Sequence, residues 1–573
     1  MQRPIVRRAS HELSGNSLHP ILARVYAGRG VRDVSELDHS LRHLLAPDSL
    51  SGIDAAAELL GASVQRGRRI LIIGDFDADG ATSSALMVRT LRAFGARYVD
   101  YLVPNRFEFG YGLTPEIVRV AQTRDPQLIV TVDNGTASVD GVAQAREAGI
   151  DVMITDHHLP GERLPDANVV VNPNLAGDQF PSKNLAGVGV AFYVLAATRR
   201  WLRERGWFDA RAQPSLAQFL DLVALGTIAD VVPLDANNRV LVAQGLQRIR
   251  DGACCAGITE LLSVAGSATQ PVTAMDLAFL VAPRLNAAGR LVDMSVGIEC
   301  LLCDDPTTAR ELARELHELN RQRREIEAQM REQGEAALAD TRLSDARPMA
   351  MSFYHPDWHQ GVIGILAARL RERTDRPVVV FADDGDTDLL KGSARSLPGV
   401  HIRDAIERVA TRNPGLVLRF GGHAAAAGLS IQRSRFDEFR ASLAYEVDAL
   451  LEGIAPHSEV LSDGDIPAAQ LNLELAELLR EAGVWGQGFQ EPLFDGEFEV
   501  VTSRVVGGKH VKMVLKPCDG ARHVDAIQFG SDVPPQPVDR LRIAYRLEVN
   551  EYDGLRRAQL NVVHRAEVDS RSA

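Results

Sequence analysis

Between residues 69 and 158 the sequence alternates in a way that few folds can accommodate. Short apolar runs, "RRILIIGDF", "RYVDYLVP", "QLIVTVDNG" and "IDVMITDHH", are separated by "ATSSALMVRTLRAFG", "TPEIVRVAQTR" and "SVDGVAQAREAG", where apolar residues recur at helical spacing. The runs rich in Ile and Val read as buried strands. Strands alternating with helices predict an α/β architecture with a parallel, doubly wound sheet. In such sheets ligands collect beyond the carboxyl ends of the strands.

The residues at those ends share one chemistry. Asp75, Asp77 and Asp79 follow the first run, Asp133 the third, and Asp156, His157 and His158 the fourth. A solvated turn accounts for any one of them alone, but not for three strand ends carrying the same groups. Equal charges at alternate positions repel, so the triplet in "GDFDADGA" calls for a compensating cation. A calcium loop is excluded, because its closing bidentate Glu position is filled by Leu86 and a strand precedes it. Asp230, in the otherwise apolar "LVALGTIADVVPL", is a further candidate. A carboxylate there needs a cation or a basic partner, unless it merely caps a helix.

Carboxylates with one imidazole suit Mg²⁺ or Mn²⁺ better than a thiolate zinc site. There are enough for two ions with one shared ligand, the usual clamp for hydrolysis of phosphate esters. No Walker sequence is present, which argues against nucleotide-driven motor chemistry. A net charge of −13 speaks against a protein that coats nucleic acid nonspecifically, but not against a nuclease with a confined basic channel. The 573 residues predict two to four domains. The opening "MQRPIVRRASHELSG" lacks an apolar signal core and no run is long enough to span a membrane, so a cytoplasmic enzyme is expected. The five cysteines cannot all pair, "CLLC" has no second CxxC to complete a zinc site, and reduced, buried thiols are expected.

"GDFDADG", "TVDNG", "TDHH" and "GTIADVVPL", in this order, resemble the four motifs of the DHH phosphoesterase superfamily. "RLNAAGR", "HQGVIGILAARL", "KGSARS" and "FGGHAAAAGLS" extend the resemblance, over nearly the whole chain, to its bacterial exonuclease branch specific for single-stranded DNA. The resemblance implies a two-ion site of Mn²⁺ or Mg²⁺. Asp77 and Asp133, with Asp75, would hold the first ion. Asp79, Asp133, His157 and Asp230 would hold the second, so that Asp133 bridges. His158 would orient the reacting phosphate. The implied activity is removal of nucleotides from the 5′ end in DNA repair and recombination. A single-strand-binding protein and a helicase would be partners, and the enzyme would act as a monomer.

From Pro306 a long run with alternating Glu and Arg predicts a solvated connecting helix. The following "PMAMSFYHPDW", "GVIGILAARLRER" and "PVVVFAD" predict a smaller α/β lobe, which resembles the DHHA1 domain and by that resemblance faces the metal site across a cleft. Ser393, Arg395 and Ser396 place a guanidinium beside two hydroxyls, equipment for a terminal phosphate. Gly422 lets a backbone approach, and His423 adds a polar donor. Arg106, Tyr111, Arg284, Asn286 and Arg290 complete the candidate substrate contacts. After "WGQGFQEPLF" short alternating strands predict an all-β barrel, of OB type by resemblance. Lys509, Lys512, Lys516 and Arg522 offer a basic track there; Phe529 or Tyr545 could stack on bases, although aromatics in so short a domain are more often core.

The expected division is an N-terminal segment 1–50, a DHH catalytic domain 51–303, a connecting helix 304–345, a DHHA1 domain 346–450 and an OB-fold domain 451–573. One competing reading is a phosphoesterase for short oligonucleotides or a cyclic dinucleotide, which the barrel and "KGSARS" disfavour. Another is a noncatalytic DNA-binding scaffold, whose mark would be a missing acid, and every candidate position is filled.

Overall fold

The computed structural model describes residues 3–15, 18–105, 112–267, 271–341, 349–385, 387–451, 459–552 and 554–567. The chain forms two compact units, one of residues 1–286, 294–314 and 458–573, the other of residues 287–293 and 315–457.

The first unit contains the expected sheet. Its strands are β1 (Arg69–Gly74), β2 (Tyr98–Leu102), β3 (Leu128–Val132), β4 (Asp151–Thr155) and β5 (Val169–Val171), all parallel in the order β2-β1-β3-β4-β5. β5, from "NVVVN", is too short to stand out in the sequence. Side chains alternate between sheet faces: Leu71, Ile73, Ile129, Val152 and Ile154 pack with α2 (Pro115–Gln122) and α3 (Val139–Glu147). The intervening Ile70, Ile72, Val130 and Met153 are also buried, on the side of α1 (Ala78–Phe94) and α4 (Gly187–Glu204). Next to α1 and α4 lies α5 (Leu220–Ala229), apolar apart from Asp221 and Thr227 and buried almost to its end.

A closed barrel belongs to the same unit. Its strands are β6 (Phe494–Val506), β7 (His510–Pro517), β8 (Val524–Phe529), β9 (Arg540–Tyr552) and β10 (Leu555–Glu567), in the order β6-β7-β8-β10-β9. Alternation along β7 puts Val511, Met513 and Leu515 inside and leaves Lys512 and Lys516 on the outer face. Tyr545 is fully buried in the barrel core and cannot stack on a base, whereas Phe529 is exposed with its edge against His510. The sequence gives no warning that Ile5–Arg7 pairs in parallel with Val460–Ser462.

The second unit is a mixed five-stranded sheet ordered Arg419–Gly422, Ala426–Gln432, Leu389–Arg395, Val378–Asp383 and Met351–Tyr354, with cores on both faces. The helix Pro306–Thr341 carries surface ion pairs such as Arg321 with Glu318 and Glu325. It is not solvated all round as expected: Met330 and Leu338 are buried in the second unit's core. The five cysteines are free, but only Cys255 and Cys300 are buried, and Cys518 is exposed. Among the described residues no helix is long and apolar enough to cross a membrane.

Candidate metal centre

Each strand end delivers its acids by a local device. The turn after β1 starts α1 at Asp77, whose Oδ1 accepts from the backbone N–H groups of Asp79 (2.9 Å) and Gly80 (3.0 Å). This is an N-cap, and it fixes the turn that carries Asp75, Asp77 and Asp79. Asp133 ends β3 in the left-handed region (φ 62°), a conformation Asp tolerates better than most residues. Asp230 is not an N-cap. It closes α5 at the C-cap, where the helix dipole disfavours a carboxylate, so the capping alternative fails.

These groups converge. One ligand atom from each of Asp75, Asp77 and Asp133 lies within 4.8 Å of the others, and the same holds for Asp79, His157 and Asp230 and for Asp133, His157 and His158. His157 Nε2 stands 3.1 Å from Asp133 Oδ1 and 3.5 Å from Asp230 Oδ2. Asp156 plays a different part. Its Oδ1 accepts from the backbone N–H of His157 (2.7 Å) and of His158 (3.1 Å) and lies 2.8 Å from His158 Nδ1, while Oδ2 accepts from Thr136 N (2.9 Å). Asp156 therefore orients the histidines instead of facing the cluster. Its motif shows an acid but not which way the carboxylate points.

The electrostatics of the cluster test the fit to a cation. Burial raises the Asp79 and Asp133 carboxyls well above the usual range; Asp230 and Asp77 add to the effect at Asp79, and Asp79, Asp77, Asp230 and Asp75 at Asp133. Burial and then Asp77 push Asp230 up to about 7, although His158 draws it down. The buried Oδ2 of Asp230 accepts no hydrogen bond among the described residues. At Asp156 burial is outweighed by the hydrogen bond and charge of His158 and by Thr136 N–H, which hold the carboxyl at about 2. His158 in turn rises to about 9, because Asp156 overcomes its burial. Mutually repelling buried carboxylates beside one imidazole, all oxygen or nitrogen donors, fit a hard divalent cation.

The other candidates fall as follows. Asn286 Oδ1 accepts from Ala78 N (2.8 Å) and so supports the acidic turn. Arg284 is buried and donates to Leu280 O. In the second unit, Arg290 Nη1 donates to Gly361 O (3.1 Å). Arg395 Nη1 bonds Ser393 Oγ (3.1 Å) and Ala394 O (2.8 Å), and Arg395, Ser396, Arg371 and His401 line one cavity of about 620 Å³. Ser396 Oγ donates to Val400 O (2.7 Å). Gly422 (φ 139°) and the exposed His423 form the turn that joins two strands. Arg371 was not singled out by any motif. Arg106 and Tyr111 lie outside the described residues.

Family models match in chain order: the DHH family N-terminal domain over 69–227, the DHHA1 domain over 347–448 and the RecJ OB domain over 462–564. The RecJ single-stranded-DNA-specific exonuclease of Salmonella typhimurium is 52% identical over 569 residues, covering 98% of both chains. This chain belongs to the RecJ family. The Escherichia coli RecJ is likewise 52% identical, over 551 residues and 95% of both chains. A solved RecJ from Thermus thermophilus in complex with Mn²⁺ superposes with a TM-score of 0.81 at 31% identity, covering 99% of this chain and 80% of that one. The same protein in complex with Mg²⁺ gives 0.75 at 30% identity, covering 99% and 79%.

Proposed function

We propose that this chain is a metal-dependent exonuclease that degrades single-stranded DNA from the 5′ end to mononucleotides, in DNA repair and recombination. The observation that carries the reading is the gathering of Asp75, Asp77, Asp79, Asp133, His157 and Asp230 at the carboxyl edge of one sheet, in a chain alignable end to end with RecJ exonucleases.

Two ions of Mn²⁺ or Mg²⁺ would be held, one by Asp75, Asp77 and Asp133, the other by Asp79, Asp133, His157 and Asp230. When bound, they supply Lewis acidity that lowers the pKa of a water and offsets charge developing on the phosphate. The protein's own part is positional. His158, kept cationic by Asp156, donates from Nε2 to a phosphate oxygen. Arg395 with Ser393 takes the 5′-terminal phosphate, which sets polarity; burial and the neighbouring Arg371 disfavour the cationic guanidinium, and a bound anion would offset both. The barrel grips the strand through its backbone and by stacking, without a sequence code. The enzyme works in the cytoplasm as a monomer, with a single-strand-binding protein and a helicase as partners.

End-labelled single- and double-stranded substrates, digested with and without chelator, test the reading. Release of 5′ mononucleotides from the single strand alone, abolished by chelator, is expected. Chelator-resistant release, or a preference for 3′-phosphorylated ends, refutes it.

A further inference from the structure

Two glycines lie against acids of the centre at positions where a Cβ would collide with them. Gly187 opens α4 behind Ala186, which has no side-chain oxygen to cap the helix. The first N–H groups of a helix need acceptors from elsewhere. Gly187 N donates to Asp79 Oδ2 at 2.6 Å and Val188 N to Asp79 Oδ1 at 3.0 Å. Both Asp79 oxygens are thus fixed in direction by the tip of a helix that starts 108 residues later.

The same Gly187 lies against Asp133. A Cβ on it would stand 2.6 Å from Asp133 Cβ, 2.7 Å from Oδ1 and 2.8 Å from Cα, all inside contact distance. Asp133 cannot simply retreat, because its backbone N–H is tied to Thr155 O at 3.0 Å. Gly226, inside α5, approaches Asp79 separately. Its Cβ would stand 2.8 Å from Asp79 Oδ1 and 2.7 Å from Val188 Cγ1, and would collide with Thr82 Oγ1. Neither glycine has a positive φ, so backbone conformation does not require them. Inside a helix glycine costs about 1 kcal/mol relative to alanine. What they gain is proximity of the acids.

We propose that Gly187 and Gly226 are positioning residues of the metal centre: by lacking side chains they set the separation of Asp79 and Asp133 at which a second divalent ion is held beside the first. This rests on the two-ion reading above. Loss of either glycine removes one ion while the fold and the DNA grip persist.

The test is Mn²⁺ titration of the full-length, chelator-stripped protein, followed by calorimetry and by electron paramagnetic resonance. Wild type takes up two ions with a spin-coupled signal, since ions of such a clamp lie about 3.5–4 Å apart. Gly187→Ala is expected to retain one ion with an uncoupled signal, its affinity for the other falling about 10–100-fold. Its metal-free melt stays cooperative and its DNA binding is unchanged. Gly226→Ala behaves alike and carries the test should Gly187→Ala not fold. Adding Thr82→Ala removes the hydroxyl obstacle but leaves the approach to Asp79, so the second ion stays lost. Gly189→Ala, whose Cβ would meet the Leu185 side chain first, at 3.1 Å, keeps both ions. Two coupled ions at wild-type affinity in the glycine variants overturn the proposal. So does recovery of the second ion with Thr82→Ala, which would make crowding of the helices the cause. Fewer than two ions in wild type would instead sink the two-ion reading itself.

Discussion

Removing one charge from the centre should make the ion-free protein sturdier while it disables the enzyme. Asp230 is the residue to change. Burial and the neighbouring Asp77 push its carboxyl up to about 7, against 3.8 for a free side chain. Between those two values the folded chain keeps a proton that the unfolded chain has released. Stability therefore falls as pH rises through this window and stays low above it. At 1.36 kcal/mol for each pH unit between 3.8 and about 7, the penalty at pH 8 is about 4 kcal/mol. At pH 5 it shrinks to roughly 2 kcal/mol.

Asp230→Asn keeps the shape and deletes the charge. Urea unfolding of chelator-stripped wild type and variant, at pH 5 and pH 8, measures the difference. The variant should be the more stable at pH 8, by a margin that narrows at pH 5. Excess Mn²⁺ should then stabilise wild type far more than the variant, because ligand binding to the folded state adds to its stability. A variant no more stable than wild type at pH 8, or a gap that widens in acid, would show that Asp230 is not held charged against its will.

Asp133→Ala should abolish cleavage yet leave strand binding in a gel-shift assay largely intact; undiminished turnover would refute a shared ligand. Arg395→Ala should mainly reduce use of 5′-phosphorylated ends, and equal loss on every end type would point to misfolding. Arg7→Ala opens a clasp in which the buried Asp495 accepts from Arg7 Nε (3.0 Å), Ser462 Oγ (2.5 Å) and Arg542 Nη2 (2.9 Å). Arg7 is half exposed, so the loss should be about 1–2 kcal/mol. These bonds, outweighing burial, hold the Asp495 carboxyl below the usual range. The difference should persist at neutral pH and vanish only as pH drops through that lowered value, which denaturation along an acid series downward from pH 7 would check. Phe529→Ala should weaken binding to normal strands more than to abasic ones in fluorescence anisotropy; equal loss on both would rule out stacking.

The parallel sheet was legible because β1, β3 and β4 are buried on both faces and so read as unbroken apolar runs. The acids were legible because they follow those runs directly. Contacts between distant stretches of chain were not. Nothing near "NLAGVGVAF" announces that Gly187 touches Asp133, since a glycine's reason is the atom opposite it. Asn286 reads as a substrate contact, and the structure adds a second use that composition does not show: its carbonyl braces the turn at Ala78. Tyr545 and Phe529 occur in similar strand text, and only barrel closure buries one and exposes the other.

The strand at Ile5–Arg7 has a consequence for how the chain is made. Its partner strand is Val460–Ser462, and Arg7 finds Asp495 only 488 positions later. At a ribosomal pace of 5–20 residues per second, that leaves roughly 25–100 s in which the leading segment has emerged without its mate. A nascent chain that has not yet reached Asp495 thus leaves the Ile5–Arg7 segment without its mate, and chaperone dependence should end once residues 460–495 clear the exit tunnel.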